Sequence, residues 1–367
     1  MIESVIFSKA MPQQLKKDSD FVVYTVLTLS RNIDGYDLPR MLNDKQKKEV
    51  NLKIKEFLGL LQDYDNLVDS TIVTNRDNEL LGLIDRELLD YDFIKFLSEK
   101  NKMVKLFVER TLRFVITTNT YDHFNVRSVF IGNGFDDSFD IIERFSILFD
   151  DYFVPSFSKS YGYITSDIST IGHGVKVKFL LNIWGLRNSS NLENVLDVLS
   201  SNGVLYNYNS LYDRTNFMEF VYVFQPDKSM VANKILFKSL LDRVRDVELE
   251  ERRKLKSRYG GMDLLREYND FKNTISSANF IHYKAFLGLM SKLSMISFFG
   301  NINDDDPVDL SEIINFLIVL LRDASIMLYS NIIPNESLIG RERSVILKKF
   351  FNFGVNSGAS SGGKRGR

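Results

Sequence analysis

The sequence predicts an α+β fold, in which a strand-rich middle lies between two helical stretches. Three observations support this prediction. Residues 41–112 repeat their apolar side chains with a helical period, residues 112–230 shift to a period of two, and helical patterns return after residue 232. Because helices and strands fall in separate blocks, the α+β class is favoured.

The first helical pattern lies in DKQKKEVNLKIKEFLGLLQDY, residues 44–64. Its apolar positions cover one face of an amphipathic helix. They are Val50, Ile54, Phe57, Leu58 and Leu61. We expect residues 1–111 to be a largely helical N-terminal part.

Strand patterns dominate the next stretch, which we expect to be an α+β core over residues 112–260. Four β-rich runs are separated by polar turns. They are RFVITTNT (113–120), VRSVFIG (126–132), VKVKFLLNIWG (175–185) and EFVYVFQP (219–226). One helical pattern, SFDIIERFSILFDDYF, lies between the second and third runs.

The remaining chain is predicted to form a separate helical unit. Gly260 and Gly261 mark a plausible break, so we divide the chain into a first domain, 1–260, and a helical C-terminal domain, 262–355. Residues 356–367, rich in Gly and Ser, are expected to be a mobile tail.

Composition excludes several classes of protein. A chain of 367 residues predicts two domains, and a net charge of −1 gives no attraction to nucleic acid or to anionic membranes. There is no cysteine and there are three histidines far apart, so neither disulfides nor a metal site is expected. The longest apolar run, IINFLIVLL, is too short to cross a bilayer. With no secretory signal pattern at the N-terminus, a cytoplasmic location is expected.

The stretch TYDHFN, residues 120–125, raises the question of an active site. Asp122 and His123 are adjacent and could form a catalytic pair. However, no Ser or Cys nucleophile stands in a recognisable partner motif, and Asn125 carries no charge. A structural role for the pair is the preferred interpretation.

Four separated stretches carry a further pattern. They are TVLTLSRNIDGYDLP (25–39), TNTYDHFNV (118–126), YGYITSDISTIGHGVKVKFLLNI (161–183) and YNYNSLYD (206–213). In order and spacing they resemble motifs of the ATP:guanidino phosphotransferases, the family of arginine and creatine kinases, and most of all the bacterial protein-arginine kinases. The C-terminal stretches ISSANFIHYKAFLGLMSKL and RSVILKKFF resemble the extra helical domain of that bacterial branch.

The resemblance implies a mainly antiparallel sheet flanked by helices. It also implies a reaction in which the γ-phosphoryl group of Mg-ATP is transferred to a guanidinium. Such catalysis depends on alignment and on cations that neutralise the phosphate oxygens, which is why the family places arginines around the triphosphate. A carboxylate removes the proton from the guanidinium. Mg-ATP is therefore the implied cofactor.

The positions that the resemblance assigns to this chemistry hold other residues here. The five phosphate-binding arginines fall on Val26, Thr28, Asn125, Lys176 and Tyr208. The glutamate base falls on Tyr121, the loop cysteine on Asp167 and the second acidic residue on Asp213. Because a base contributes roughly 10²- to 10⁴-fold and an electrostatic donor about 10²- to 10³-fold, the family reaction is expected to be lost.

Some basic residues could compensate. Arg127 shares a strand face with Asn125, and Lys176 and Lys178 share a face with each other, so these cations could hold a phosphate. The preferred and simpler interpretation is a solvated strand face. Arg31 matches the family framework and is a further nucleotide-binding candidate. His173 lies between two glycines and is either a nucleotide contact or part of an exposed loop.

These observations lead to three hypotheses. The first is a catalytically degenerate relative of protein-arginine kinase that acts by binding. The second is an active phosphotransferase with a site rebuilt from Lys176, Arg127, Asp213 and Asp167. The third is a structural or assembly protein. By resemblance, the C-terminal domain implies a homodimer, partners of the Clp-protease stress-response type, and phosphoarginine binding, for which Arg343 is the candidate.

Overall fold

The computed structural model describes residues 20–61, 66–70, 78–90, 93, 103–207, 211–212, 215–258, 261–299, 310–330 and 335–351. Within these residues the architecture is a large sheet with helices on both faces. The tail predicted over 356–367, and Asp213 among the candidate residues, lie outside the described residues.

Eight strands form the sheet in the order β2-β3-β4-β5-β1-β8-β10-β9, and all neighbouring pairs are antiparallel. A separate two-stranded ribbon pairs β6 with β7. The strands are β1 (Val22–Arg31), β2 (Leu67–Ser70), β3 (Lys105–Glu109), β4 (Phe114–Thr118), β5 (Phe124–Ile131), β6 (Phe157–Ser158), β7 (Gly162–Tyr163), β8 (Val175–Asn182), β9 (Val204–Asn207) and β10 (Phe217–Val223). The α+β class and the antiparallel sheet are confirmed.

The helices are α1 (Asp44–Gly59), α2 (Asn78–Asp85), α3 (Phe135–Tyr152), α4 (Trp184–Arg187), α5 (Leu192–Ser201), α6 (Met230–Lys256), α7 (Gly261–Ser277), α8 (Tyr283–Phe299), α9 (Ser311–Leu320), α10 (Asp323–Ser330) and α11 (Glu336–Phe350). Helix α1 begins with a capping box, in which Asn43 and Gln46 each accept a hydrogen bond from the other's backbone N–H. Among the described residues, no helix is both long enough and apolar enough to span a bilayer.

The prediction of a largely helical segment over residues 1–111 missed a central strand. Strand β1 lies between β5 and β8, in the middle of the sheet. Tyr24 and Val26 belong to the apolar cluster on one face, whereas Leu27 and Leu29 belong to the cluster on the other. A strand covered on both faces reads as a nearly continuous apolar run, so it lacks the alternation that identifies a half-exposed strand.

Each face of the sheet has its own core. Helices α1, α3 and α6 cover one face with an aromatic cluster that includes Phe57, Phe149 and Phe237. The other face packs against α2 and the helices of residues 261–351, where Phe286 and Leu317 join Val26 in one cluster. The C-terminal helices therefore share a core with the sheet.

Candidate functional site

The three central strands bring the predicted basic residues onto one face of the sheet. Thr28 of β1 lies opposite Arg127 of β5 on one side and Lys176 of β8 on the other. Two residues before Thr28 on the same strand, Val26 lies opposite Lys178. Asn125 lies opposite Ser30. The expectation that these side chains share a face is confirmed, because strands β5, β1 and β8 are direct neighbours.

Two cavities open on this face and meet at Asp90 and Lys176, which line both. The first has a volume of about 560 Å³ and includes Tyr121, Asn125 and Asp167 in its wall. We call it the family cleft, because Tyr121 and Asp167, which stand at catalytic positions by resemblance, line it. The second has a volume of about 650 Å³ and lies between the sheet and the C-terminal helices. We call it the inner cavity.

In the family cleft, Asn125 is held by a neutral hydrogen-bond network. Its Oδ1 accepts from Ser30 Oγ at 2.7 Å, and its Nδ2 donates to Thr120 Oγ1 at 2.8 Å and to the Asp122 carbonyl at 3.3 Å. Both ends of the amide are therefore used within the chain. At the position where the resemblance puts a phosphate-binding arginine, the side chain fastens a loop to β1.

Asp122 and His123 also hold loops in place. Asp122 Oδ1 accepts from Asn32 Nδ2 and from the Ser166 backbone N–H, both at 2.7 Å. His123 Nδ1 accepts from the Ile33 N–H at 3.1 Å, so Nε2 carries the proton and donates to the Asp37 carbonyl at 2.9 Å. Burial lowers the pKa of His123 to about 4. The pair is a set of loop anchors, as the preferred interpretation of TYDHFN holds.

Tyr121, Asp167 and Lys176 surround the mouth of the family cleft. The Tyr121 ring is 38% exposed and lies 5.4 Å from the Arg40 guanidinium. Asp167 Oδ1 accepts from the backbone N–H and the hydroxyl of Ser169, at 3.0 and 2.7 Å. Lys176 Nζ lies 3.9 Å from Asp167 Oδ2, and its side chain is 35% exposed. Lys176 is thus a loosely held cation.

Arg127 and Lys178 do not form a solvated face, so that interpretation is wrong for both. Their partner is Glu87, a residue that follows α2. Lys178 Nζ is bonded to Glu87 Oε2, and Arg127 Nη2 lies 3.7 Å from the same oxygen. Arg127 also pairs with Asp90 at 2.6 Å and is 6% exposed. Arg127 is therefore committed to an internal ion cluster.

A third cation reaches Glu87 from the C-terminal helices. Arg322, between α9 and α10, donates from Nη1 to Glu87 Oε1 at 2.7 Å. Its Nη2 donates to the Tyr212 hydroxyl at 3.2 Å and its Nε to the Tyr283 hydroxyl at 3.3 Å. Burial alone would raise the pKa of Glu87, but Lys178, Arg322 and Arg127 together hold it well below its usual range. We call Glu87, Arg127, Lys178 and Arg322 the Glu87 cluster.

The backbone at Glu87 is unusual. Its φ is +64°, a left-handed conformation that a residue with a Cβ adopts at a cost on the order of 1 kcal/mol. Glu87 N–H bonds to the Ile84 carbonyl at 2.9 Å and Leu88 N–H to the Leu83 carbonyl at 2.9 Å. This pattern is a Schellman motif, whose left-handed position usually holds glycine.

Arg31 and His173 do not line either cavity, so the prediction that they bind nucleotide is not supported. Arg31 is 1% exposed and donates to the His173 carbonyl at 2.7 Å and to Ser146 Oγ at 2.6 Å, with the Tyr163 ring 3.6 Å away. His173 Nε2 contacts the Lys228 carbonyl at 2.5 Å. A Cβ at Gly174 would lie 2.4 Å from the Ser30 carbonyl, which explains why glycine follows His173.

Arg343 is also a structural residue. It is 1% exposed, donates to the carbonyls of Leu321 at 2.9 Å and Ile281 at 2.7 Å, and pairs with Asp323. Its guanidinium ties α11 to the start of α8 and to α10. A phosphoarginine ligand has no access to a group so enclosed, so the candidate role of Arg343 in that recognition is wrong.

Comparison with known proteins agrees with this geometry. Residues 49–209 match the family model of the ATP:guanido phosphotransferase C-terminal catalytic domain. This part of the chain is thus similar to the catalytic domain of that family. The protein-arginine kinase of Clostridium acetobutylicum is 25% identical over 195 residues, covering 51% of this chain and 54% of that protein. That of Caldanaerobacter subterraneus is 24% identical over 193 residues, with 52% and 56% covered. The chain thus spans about half the length of the curated relatives it matches.

Solved structures of guanidino kinases share the fold. The crystal structure of lombricine kinase matches with a TM-score of 0.54 and 16% identity, covering 67% of this chain and 70% of that one. The substrate-free duplicated taurocyamine kinase of Schistosoma mansoni matches with a TM-score of 0.52 and 16% identity, covering 65% and 34%. The sheet that carries the two cavities therefore has the fold seen in these kinases.

Sequence reasoning did not find the Glu87 cluster. Glu87 lies in IDRELLDYD, which has no motif and no strand alternation, and its cations come from residues 40, 91 and 235 positions away. One signal was present in the sequence. Arg322 ends the longest apolar run, and a charge directly at the end of a buried helix commonly needs a partner.

Proposed function

We propose that this protein acts by binding a ligand in the family cleft and does not transfer phosphate. The observation that carries this proposal is that the carboxylates in the cleft already have hydrogen-bond or ion-pair partners within the chain. The three that line it are Asp90, Asp122 and Asp167. Each is already engaged by donors of the chain, namely Arg127, the Asn32 and Ser166 pair, and Ser169.

No carboxylate stands at the position of the family base in the described part of the cleft. Tyr121 occupies the position that the resemblance assigns to it, and a phenol is largely protonated at neutral pH. A guanidinium that keeps all its protons is a poor nucleophile toward phosphorus. The cleft can therefore bind a cationic or polar ligand, but its described residues do not activate one.

The residues present do not fit a triphosphate with its magnesium ion. Among the described residues of the cleft wall, the positive charges are Arg40 and Lys176, against three carboxylates. Neutral side chains stand at the arginine positions of Val26, Thr28 and Asn125. Since each charged hydrogen bond is worth roughly 1.5–3 kcal/mol, we expect Mg-ATP to bind far more weakly than micromolar.

The test is a transfer assay with radiolabelled ATP and a panel of arginine-containing proteins and peptides. We expect no acid-labile phosphate above the background of a boiled control. Titration calorimetry with Mg-ATP should show no micromolar site. Product that disappears in the Asp213→Ala variant would overturn the proposal and favour a rebuilt phosphotransferase, because Asp213 is the remaining acidic residue that the resemblance assigns.

Self-association through the C-terminal helices is a second part of the proposal. Helix α11 exposes Leu338, Val345 and Phe350, and Phe280 is exposed before α8. Apolar side chains grouped on one unit favour a protein contact, and we propose a homodimer. Light scattering on the full chain and on a Leu338→Glu, Val345→Glu variant tests it. A monomer in both would contradict the dimer, and a dimer in both would place the interface elsewhere.

A further inference from the structure

The inner cavity contains a carboxylate at the point where three cations converge. Lys178, Arg322 and Arg127 all direct charge at Glu87, and the hydroxyls of Tyr212 and Tyr283 flank Arg322. We infer that this is a binding site for a small phosphate-bearing ligand, and that Glu87 occupies it as an internal substitute for that ligand. The inference does not depend on whether the protein transfers phosphate.

The cations come from independent parts of the fold, which is typical of a built anion site. Arg127 lies on β5, Lys178 on β8 and Arg322 between α9 and α10. Arg322 presents its planar fork to Glu87 Oε1 and the Tyr212 hydroxyl, a geometry that also matches phosphate oxygens. The cavity of about 650 Å³ is within the size range of small-molecule sites.

Charge decides which anion fits. If Glu87 is withdrawn, its three cations face two remaining carboxylates, Asp90 at 2.6 Å from Arg127 and Glu219 at 3.7 Å from Lys178. Of two further acids of the wall, Asp323 is paired with Arg343, and Asp85 accepts the Ser325 N–H at 3.0 Å while its charge still acts on Arg322. The small positive surplus, with Lys176 at the junction of the cavities, suits a phosphate monoester and not a triphosphate.

The backbone of Glu87 is consistent with an occupant that can leave. Its φ of +64° is disfavoured for any residue with a Cβ. The side-chain contacts help to hold the segment, together with the two backbone bonds of the Schellman motif and a bond from Arg127 Nε to the Glu87 carbonyl at 2.5 Å. A ligand that takes over Lys178 and Arg322 removes those contacts. The Glu87 side chain can then turn away and residues 86–90 are held less firmly, although Arg127 still binds the Glu87 carbonyl and Asp90. In the ligand-free protein the site can bind phosphate only during the fraction of time that the Glu87 side chain has left it, and this lowers the apparent affinity for phosphate.

The test is calorimetric titration of the full chain with inorganic phosphate and, in parallel, with adenosine monophosphate. Glu87→Gln should raise the affinity for both at least about tenfold. Glu219→Gln is the matched control, since it removes the same charge beside Lys178 without contacting Arg322, and it should raise affinity much less. Adding Arg322→Gln to Glu87→Gln should abolish the gain. Equal gains in the two single variants, or a gain that survives loss of Arg322, would overturn the inference.

Two further measurements keep the inference testable if Glu87→Gln folds poorly. Glu87→Gly removes the carboxylate and supplies the residue that the left-handed position favours. In the unaltered protein, hydrogen exchange at the amides of residues 86–90 should become faster when phosphate is bound. Slower or unchanged exchange there would contradict displacement of Glu87. Tighter binding of adenosine monophosphate than of phosphate would identify a nucleotide as the source of the phosphoryl group.

Discussion

The two cavities that meet at Lys176 are neighbours on one sheet face, yet different kinds of interaction stabilise their walls. The family cleft is held mainly by hydrogen bonds of Asn125, His123 and the Asp122 carboxylate to uncharged partners. The inner cavity is held by the charges of the Glu87 cluster. Of the residues that the resemblance assigns to chemistry, five line the first cavity, namely Thr28, Tyr121, Asn125, Asp167 and Lys176. The strongest electrostatic feature lies in the second cavity.

This difference follows from where each cavity lies. The family cleft is formed by loops at the edge of the central strands, where short polar side chains can satisfy one another. The inner cavity lies between two packed layers, where a cation must find a carboxylate because its charge is removed from water. Neutral side chains such as Thr28 and Asn125 are therefore compatible with a folded cleft, whereas replacing the cations of the inner cavity by neutral residues would strand a buried charge on Glu87.

The largest expected effect is on the inner cavity. Glu87→Ala leaves Lys178, Arg322 and Arg127 close together without their shared carboxylate, so the free energy of unfolding should fall by about 3–5 kcal/mol. Urea denaturation followed by circular dichroism measures it. Glu87→Gly is the matched variant and should be less destabilising than Glu87→Ala, because glycine accepts the positive φ. If alanine proved the better tolerated of the two, the backbone conformation assigned to Glu87 would be incorrect.

The second effect concerns pH and the loop anchors of the family cleft. His123 has a pKa of about 4 in the folded state against an ordinary value of 6.5, so between these values the unfolded chain binds the proton more tightly. Its contribution to stability is complete above pH 6.5 and is lost as pH falls toward 4, by at most about 3 kcal/mol.

His123→Gln supplies the comparison for that titration. The difference in unfolding free energy between the unaltered protein and the variant should shrink as pH falls from 7 to 4. The difference isolates His123 from Asp85, whose pKa is raised by burial to about 6 and whose contribution has the opposite sign. A difference independent of pH would show that His123 is not held neutral.

Whether a feature of the fold or of the site could be predicted from the sequence depends on how far apart in the chain the interacting residues lie. The runs around Phe114–Thr118 and Val175–Asn182 were identified as strands because alternation is a local property of the chain. The shared face of Arg127 with Asn125 followed from the same period. Glu87 could not be found, since its role depends on Arg322, which lies 235 residues away and meets it only after the layers pack. Replacement of the family base by Tyr121 was visible only through the resemblance.

A smaller effect is expected at Asn125. Asn125→Ala removes the bonds to Ser30, Thr120 and the Asp122 carbonyl but strands no charge, so the free energy of unfolding should fall by about 1–2 kcal/mol. Ser30→Ala, which removes one of the three bonds, is the control and should cause a smaller loss. Urea denaturation of both variants gives the values. A loss at Asn125 as large as that at Glu87 would remove the distinction between the neutral and the ionic cavity.

The smallest effect is expected where the cavities meet. Lys176 Nζ is 3.9 Å from Asp167 Oδ2, and both side chains are substantially exposed, at 35% and 51%. Water and salt screen such a pair, so a double-mutant cycle with Lys176→Ala and Asp167→Ala should give a coupling below about 0.5 kcal/mol. The cycle is needed because Asp167→Ala also removes the hydrogen bonds from Ser169. A coupling above about 1 kcal/mol would place Lys176 within the ionic network, and the family cleft and the inner cavity would then have to be treated as one electrostatic site.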